Sequence, residues 1–279
     1  MVTRKQCNGA SPLAPGGMAL ASRSLPDFKK PPVVEVAISA FFAPLTGLRT
    51  VHFGEFWIAN RKQYPKHEDY PPLNESIVEL LALPLLPLRR TFMITSDDRY
   101  IMQLQQDAFI HNWRKIKDED EYPHFEAARA LFRENFEQFR AFVKNNDLGQ
   151  MTATRYEVTY VNHLHEADKK YLELLTKDIG LVRLQPATER NLLTAPRSMN
   201  ADVWFDMPDD QGTLRVSIKQ GTRASDNKEV LQVELTSRGK AKSDFSDLDT
   251  WLDLAHEWIV RGFAEITTAE AHNKWGRTL

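Results

Sequence analysis

Apolar and polar residues alternate with a period of two in five segments of the chain, the pattern of strands covered on one side only. In the first segment Val34, Val36 and Ile38 share a face and leave Glu35 opposite. Tyr100, Met102 and Leu104 oppose Gln103 and Gln105, and Tyr156, Val158 and Tyr160 oppose Arg155, Glu157 and Thr159. Leu214, Val216 and Ile218 oppose Arg215, Ser217 and Lys219, while Leu231, Val233 and Leu235 oppose Gln232, Glu234 and Thr236. Two other segments carry a helical period. One spans about Pro123 to Lys144, with a stripe of Phe125, Ala128, Phe132, Phe136, Phe139 and Val143. The second opens at Ser246 and carries Leu248, Trp251, Leu252, Ala255, Trp258, Ile259, Gly262, Phe263 and Ile266. These two amphipathic helices are the natural cover for the apolar sheet face.

Breakers set the remaining boundaries. Pro44 stands where a helical turn can begin, ahead of Leu45, Leu48, His52, Phe56 and Asn60 on one face. Residues 64–88 hold Pro65, Pro71, Pro72, Pro84 and Pro87 and read as connector around a short helix at 75–83. Arg90–Thr95 and Arg99–Phe109 form a hairpin turning at Ser96-Asp97-Asp98. Arg155–Leu164 is a strand, Asp168–Lys177 a short helix and 181–200 an irregular connector. Val203–Met207 and Leu214–Gln220 make a second hairpin, turning at Asp209-Asp210 with Gly212, and Val230–Thr236 adds a strand. Ser246 and Asp249 have capping-box spacing. Each half thus reads strand, helix, strands with an Asp-Asp turn, long helix. The expected class is α+β, with two similar halves of antiparallel sheet each packed by a long helix. That order is similar to the TATA-binding-protein-like plan, with a helix-grip fold as the alternative. The expected divisions are a disordered tail over 1–30, halves at 31–148 and 150–268, and a C-terminal tail at 269–279.

Composition narrows the function classes. The 279 residues hold 36 Lys and Arg against 38 Asp and Glu, a formal charge of -2, without the global basic excess of a non-specific nucleic-acid binder. The single cysteine, Cys7, excludes an internal disulfide and a multi-cysteine zinc site. The first thirty residues are basic, but Pro12, Pro15, Gly16 and Gly17 interrupt any secretory apolar region. No window approaches 18 apolar residues, so a cytoplasmic location and no membrane partner are expected.

Catalytic chemistry has no recognisable carrier. His256-Glu257 sits on a helix, but Val260 occupies the place of a zinc protease's second histidine. His163 and His165 share a strand face with Glu166 and Asp168 close behind, a spacing common by chance. No nucleophile elbow, Walker loop or dinucleotide glycine motif is present. The expectation is therefore no catalytic residue, no metal and no cofactor. The polar sheet face is the candidate binding surface, with Glu35, Gln103, Gln105, Glu157, Thr159, Arg215 and Lys219. On it Glu35, Glu157 and Glu234 balance Arg155, Arg215 and Lys219, which favours a protein partner or a homodimer over nucleic acid. A candidate pocket combines Trp113, Arg114, Tyr160, Asn162 and His256. The alternatives are a hydrolase or nuclease with a pocket outside the known motifs, and a nucleic-acid-binding protein using Arg223, Lys228, Arg238, Lys240 and Lys242.

Several short motifs occur in a distinctive order. They are Pro-Pro-Val-Val-Glu-Val at 31–36, Gln103-Leu104-Gln105 with Phe109, Asn112-Trp113-Arg114, and Tyr122-Pro123. Tyr160-Val161-Asn162-His163, the helix with His256 and Phe263, Thr267-Thr268 and Trp275-Gly276 follow. From Pro31 to Gly276 the chain resembles a sporadically distributed family of uncharacterised bacterial proteins of similar length. The resemblance carries over no catalytic residue. The scattered occurrence of that family implies an accessory role of the defence or toxin–antitoxin kind.

Overall fold

The computed structural model describes residues 24–73, 89–165, 200–223 and 227–278. The alternating segments become strands β1 (Val33–Phe42), β2 (Lys66–Tyr70), β3 (Arg90–Ile94), β4 (Tyr100–Gln105) and β5 (Ala108–Arg114). Strands β6 (Ala153–His165), β7 (Asn200–Asp206), β8 (Thr213–Thr222) and β9 (Glu229–Lys240) complete one antiparallel sheet in the order β2-β3-β4-β5-β1-β6-β9-β8-β7. The chain is α+β. Outward from the central β1–β6 pair the order is β5, β4, β3, β2 on one side and β9, β8, β7 on the other. The segments 31–148 and 150–268 therefore contribute to one continuous sheet.

Among the described residues the α-helices are α1 (Thr50–Asn60), α2 (His124–Asn145), α3 (Leu248–Ile266) and α4 (Ala269–Trp275). Helix α2 packs on β5 and β1, and α3 on β9 and β6. All six residues of the expected α2 stripe are buried. Phe109 of β5 meets Phe132, Phe136 and Phe139 at ring-centroid distances of 5.9, 5.4 and 5.6 Å. In α3, Leu248, Trp251, Leu252, Ala255, Ile259 and Phe263 are buried, with Trp258 and Ile266 at the margin. The helices meet through Arg129 and Asp253, through Arg133 and Asp249 at 3.4 Å, and through stacking of Phe125 on His256 at 4.1 Å. Burying the apolar parity of every central strand under aromatic side chains is the dominant stabilising contribution.

Local differences have local causes. A bulge between Val33 and Glu35 turns Val33, not Val34, toward the helices, where it pairs with Asn162 and is buried. The run 99–109 divides at Gln106 and Asp107, whose carbonyls accept from Leu45 and Phe42 amides. The helix expected from Pro44 starts at Thr50, because Gly47 and Leu48 are held in a turn by Leu148 and Leu45 carbonyls. Within the connector at 64–88, residues 66–70 form the exposed strand β2. The Ser246–Asp249 capping box does not form, since the helix begins at Leu248 with Asp247 at its N-cap, whose carboxylate accepts from Tyr156 Oη at 2.9 Å and the Lys242 amide. In the Asp-Asp turns Asp98, Asp209 and Asp210 adopt left-handed φ angles of 62°, 55° and 56°, where short polar side chains are tolerated best.

The tails differ most. Residues 27–30 pair with 275–278 through Lys29 to Gly276, Lys30 to Trp275 and Thr278 to Asp27 backbone bonds. Phe28 sits among Phe263, His272 and Trp275, and α4, capped by Thr268, occupies most of the expected C-terminal tail. The helices expected at 75–83 and 168–177, the connector at 181–199 and residues 1–23 lie outside the described residues. Among the described residues, no helix is long and apolar enough to cross a membrane.

Candidate functional site

On the sheet face away from the helices, cross-strand pairing aligns Arg114, Glu35, Val161, Glu234, Ser217 and Asp202 in one row. The next row is Asn112, Ala37, Thr159, Thr236, Arg215 and Trp204, and a third holds Gln103, Ile110, Ser39, Glu157 and Arg238. Along the central pair the side chains at the floor are short, Ala37 and Ser39 on β1 and Thr159 and Val161 on β6, with Ala37 facing Thr159. Longer side chains from Arg90, Arg114, Lys115, Lys117 and Arg223 stand around them. The result is a cleft of about 990 Å³.

A polar chain crosses the cleft. Asn112 Nδ2 donates to Glu35 Oε1 at 2.5 Å, and Gln103 Nε2 donates to Asn112 Oδ1 at 2.7 Å. An ionised carboxylate only accepts, so it orients both amides, and Gln103 Oε1 is left without a partner. Burial raises the Glu35 pKa, against the Asn112 hydrogen bond and the Arg114 charge, and the Glu234 charge adds to the rise. Arg114 directs its guanidinium to the Asp98 carbonyl, with Nη2 at 3.0 Å and Nε at 3.3 Å. Glu157 pairs with Arg238 at 2.7 Å and Arg223 with Asp118 at 3.2 Å.

Of the expected binding face, Glu35, Gln103, Glu157 and Thr159 line this cleft. Gln105 lies on the same face, where its Oε1 accepts from the Leu73 amide at 2.6 Å and its Nε2 contacts Asp107. Gln103 and Gln105 are only 6% and 4% exposed, which corrects the expectation that both stand open to solvent. The neighbours explain it: Phe92 and Ile110 flank Gln103 from the adjoining strands. Arg215 is drawn sideways to Asp202 at 2.6 Å and Glu234 at 3.7 Å, and Lys219 is exposed on the outer part of β8.

The expected pocket separates. Tyr160, Asn162 and His256 line a second cavity of about 250 Å³ on the helix side, walled by Phe28, Phe125 and Phe263. Arg114 is on the opposite face, in the cleft, because adjacent residues of a strand cannot share a face. Trp113 is buried beside Tyr122, at 5.4 Å between ring centroids, and does not line the cavity. The Tyr122 and Tyr160 hydroxyls share a hydrogen bond at 2.8 Å, and burial raises both pKa values. Burial and the Arg129 charge lower His256 to about 4, leaving its imidazole neutral at pH 7.

Asn112 and Arg90 went unnoticed as site residues. The parity of β5, with Ile110 and Asn112 opposite Trp113, carried the signal for the first, and nothing in the sequence marked the second. His163 lines the cleft, while Glu166 and Asp168 lie outside the described residues. Among the described residues, no group of three or more His, Cys, Asp or Glu side chains could hold a metal ion. No family model, curated protein or solved structure matches the chain.

Proposed function

We propose that the protein acts by binding, and that the cleft on the open sheet face receives an extended segment of a partner protein. The observation that carries this reading is a roomy cleft floored by small side chains whose buried polar chain ends in an unsatisfied acceptor. Buried polar groups left without partners are costly, and a ligand that pairs with them recovers that cost. Charge supports a polypeptide. Five cations (Arg90, Arg114, Lys115, Lys117 and Arg223) face four acids (Glu35, Asp118, Glu157 and Glu234), so the cleft lacks the uniform positive field that a phosphate backbone needs. Hydroxyl and amide side chains suit the hydrogen bonds of an extended backbone, and mixed charges set its register.

The test is selection of displayed random peptides on the wild type, followed by binding to Ala37→Trp, which fills the floor from a half-buried position. Selected peptides are expected to lose at least tenfold in affinity while the melting temperature is kept. Peptides that bind the variant equally well overturn the reading. So does tight, steeply salt-dependent binding of DNA or RNA. A wild-type dimer that dissociates in Ala37→Trp reassigns the cleft to a second copy of the chain.

A further inference from the structure

We propose that the cleft floor recognises one basic side chain of the bound segment, a lysine or arginine, with the Glu35 carboxylate as counter-ion and Gln103 Oε1 as a second acceptor. This deepens the reading above and rests on it. Glu35 receives one hydrogen bond, from Asn112, and no cation of the described chain lies within ion-pairing distance of it. The nearest candidate along its row, Arg114, is spent on the Asp98 carbonyl. One strand beyond Val161 lies Glu234, whose cation, Arg215, stands at 3.7 Å. Glu35 thus stands in the cleft without an ion-pairing partner among the described residues, the Arg114 charge acting on it only from beyond pairing distance.

Gln103 supplies an independent observation. It is 94% buried, the complement of its 6% exposure, it lines the cleft, and its Oε1 has no partner. Its orientation follows from Glu35 through Asn112, so the chain presents an acceptor at each end, the Glu35 carboxylate and Gln103 Oε1. The complementary group is a cation rich in N–H donors, which a guanidinium or ammonium provides and a neutral amide does not. The raised pKa of Glu35 agrees with a carboxylate that is buried without a counter-ion. Lys115 and Lys117 on the rim, with Arg90 beyond, repel a run of basic residues. The geometry therefore suits a single basic residue in an otherwise neutral or acidic segment.

The test titrates the full chain with N-acetyl-arginine amide and with its neutral isostere, N-acetyl-citrulline amide, following the side-chain amide resonances of Gln103 and Asn112 by NMR. The arginine amide is expected to shift both resonances saturably and the citrulline amide to leave them in place. The Glu35→Gln variant should lose the response at least tenfold while remaining folded. Equal shifts with both compounds, or none with the arginine amide at tens of millimolar, overturn the inference. Selected peptides that lack a basic residue yet are displaced by Ala37→Trp also refute it, and they leave the peptide cleft standing. A saturable arginine response with no peptide selected refutes the peptide reading alone.

Discussion

Asn112 Nδ2 lies 2.5 Å from Glu35 Oε1 across the β1–β5 pair, so a strand amide holds a carboxylate whose register partner, Arg114, donates instead to the Asp98 carbonyl. Its raised pKa means that the folded state keeps the Glu35 proton to higher pH than the unfolded chain does. The stability associated with that proton is fully present below the unfolded value of 4.5 and is lost as pH rises through the folded value. Glu35→Gln, which keeps an acceptor for Asn112, is expected to melt higher than the wild type at pH 7. The difference should shrink toward pH 4, and paired thermal melts across that range check it. A variant that melts lower at pH 7 would show that the carboxylate is compensated in the folded state.

Acid should destabilise the protein through two histidines. Burial lowers His111 and His256 to about 4, and the Arg129 charge contributes at His256. A depressed pKa gives stability that is present above the unfolded value of 6.5 and is lost as pH falls toward the folded value. Each histidine is expected to cost up to about 1.4 kcal/mol per pH unit in that interval. Urea unfolding of His256→Phe, which preserves stacking on Phe125, should show a shallower loss between pH 6.5 and 4 than the wild type.

The aromatic core beneath β5 sets the global stability. Phe139 touches Phe42, Phe56 and Phe109 at centroid distances of 6.2, 5.5 and 5.6 Å. Phe139→Ala is expected to cost about 3–5 kcal/mol in equilibrium unfolding, through lost burial and the cavity left behind. Glu55→Ala, on an exposed position of α1, serves as the control and should stay within about 0.5 kcal/mol.

Gly239 is required by space. A methyl group there would strike the Trp251 indole, whose Nε1 donates to the Gln211 carbonyl at 3.3 Å. Gly239→Ala is expected to lose about 1–3 kcal/mol by overpacking. An unchanged unfolding midpoint would show that Trp251 repacks freely.

The helix stripes were legible because Phe125 to Val143 and Leu248 to Phe263 repeat with the helical period over several turns. Strand parity was equally local, and it put Glu35, Gln103, Glu157 and Thr159 on one face before any pairing was known. The bulge at Val33 was not legible, since Val33 and Val34 are chemically identical and only pairing with Asn162 chooses between them. Likewise the hold of Phe28 on Phe263 and Trp275 joins residues more than 230 positions apart, which no sequence window contains.

The sequence by itself determined which faces are apolar, where the long helices run and where aspartate turns interrupt the strands, because these follow from spacing within a few residues. Tertiary structure decided which strands are neighbours. That choice made Ala37, Ser39, Thr159 and Val161 a floor, buried Gln103 between Phe92 and Ile110, and hydrogen-bonded Glu35 to Asn112 while its register partner Arg114 donates to the Asp98 carbonyl. It also parted Arg114 from Trp113, sending one to the cleft and the other to the core. A cleft is the joint product of side chains from distant strands, and its chemistry exists only once hydrogen-bonded pairing has fixed their order and register.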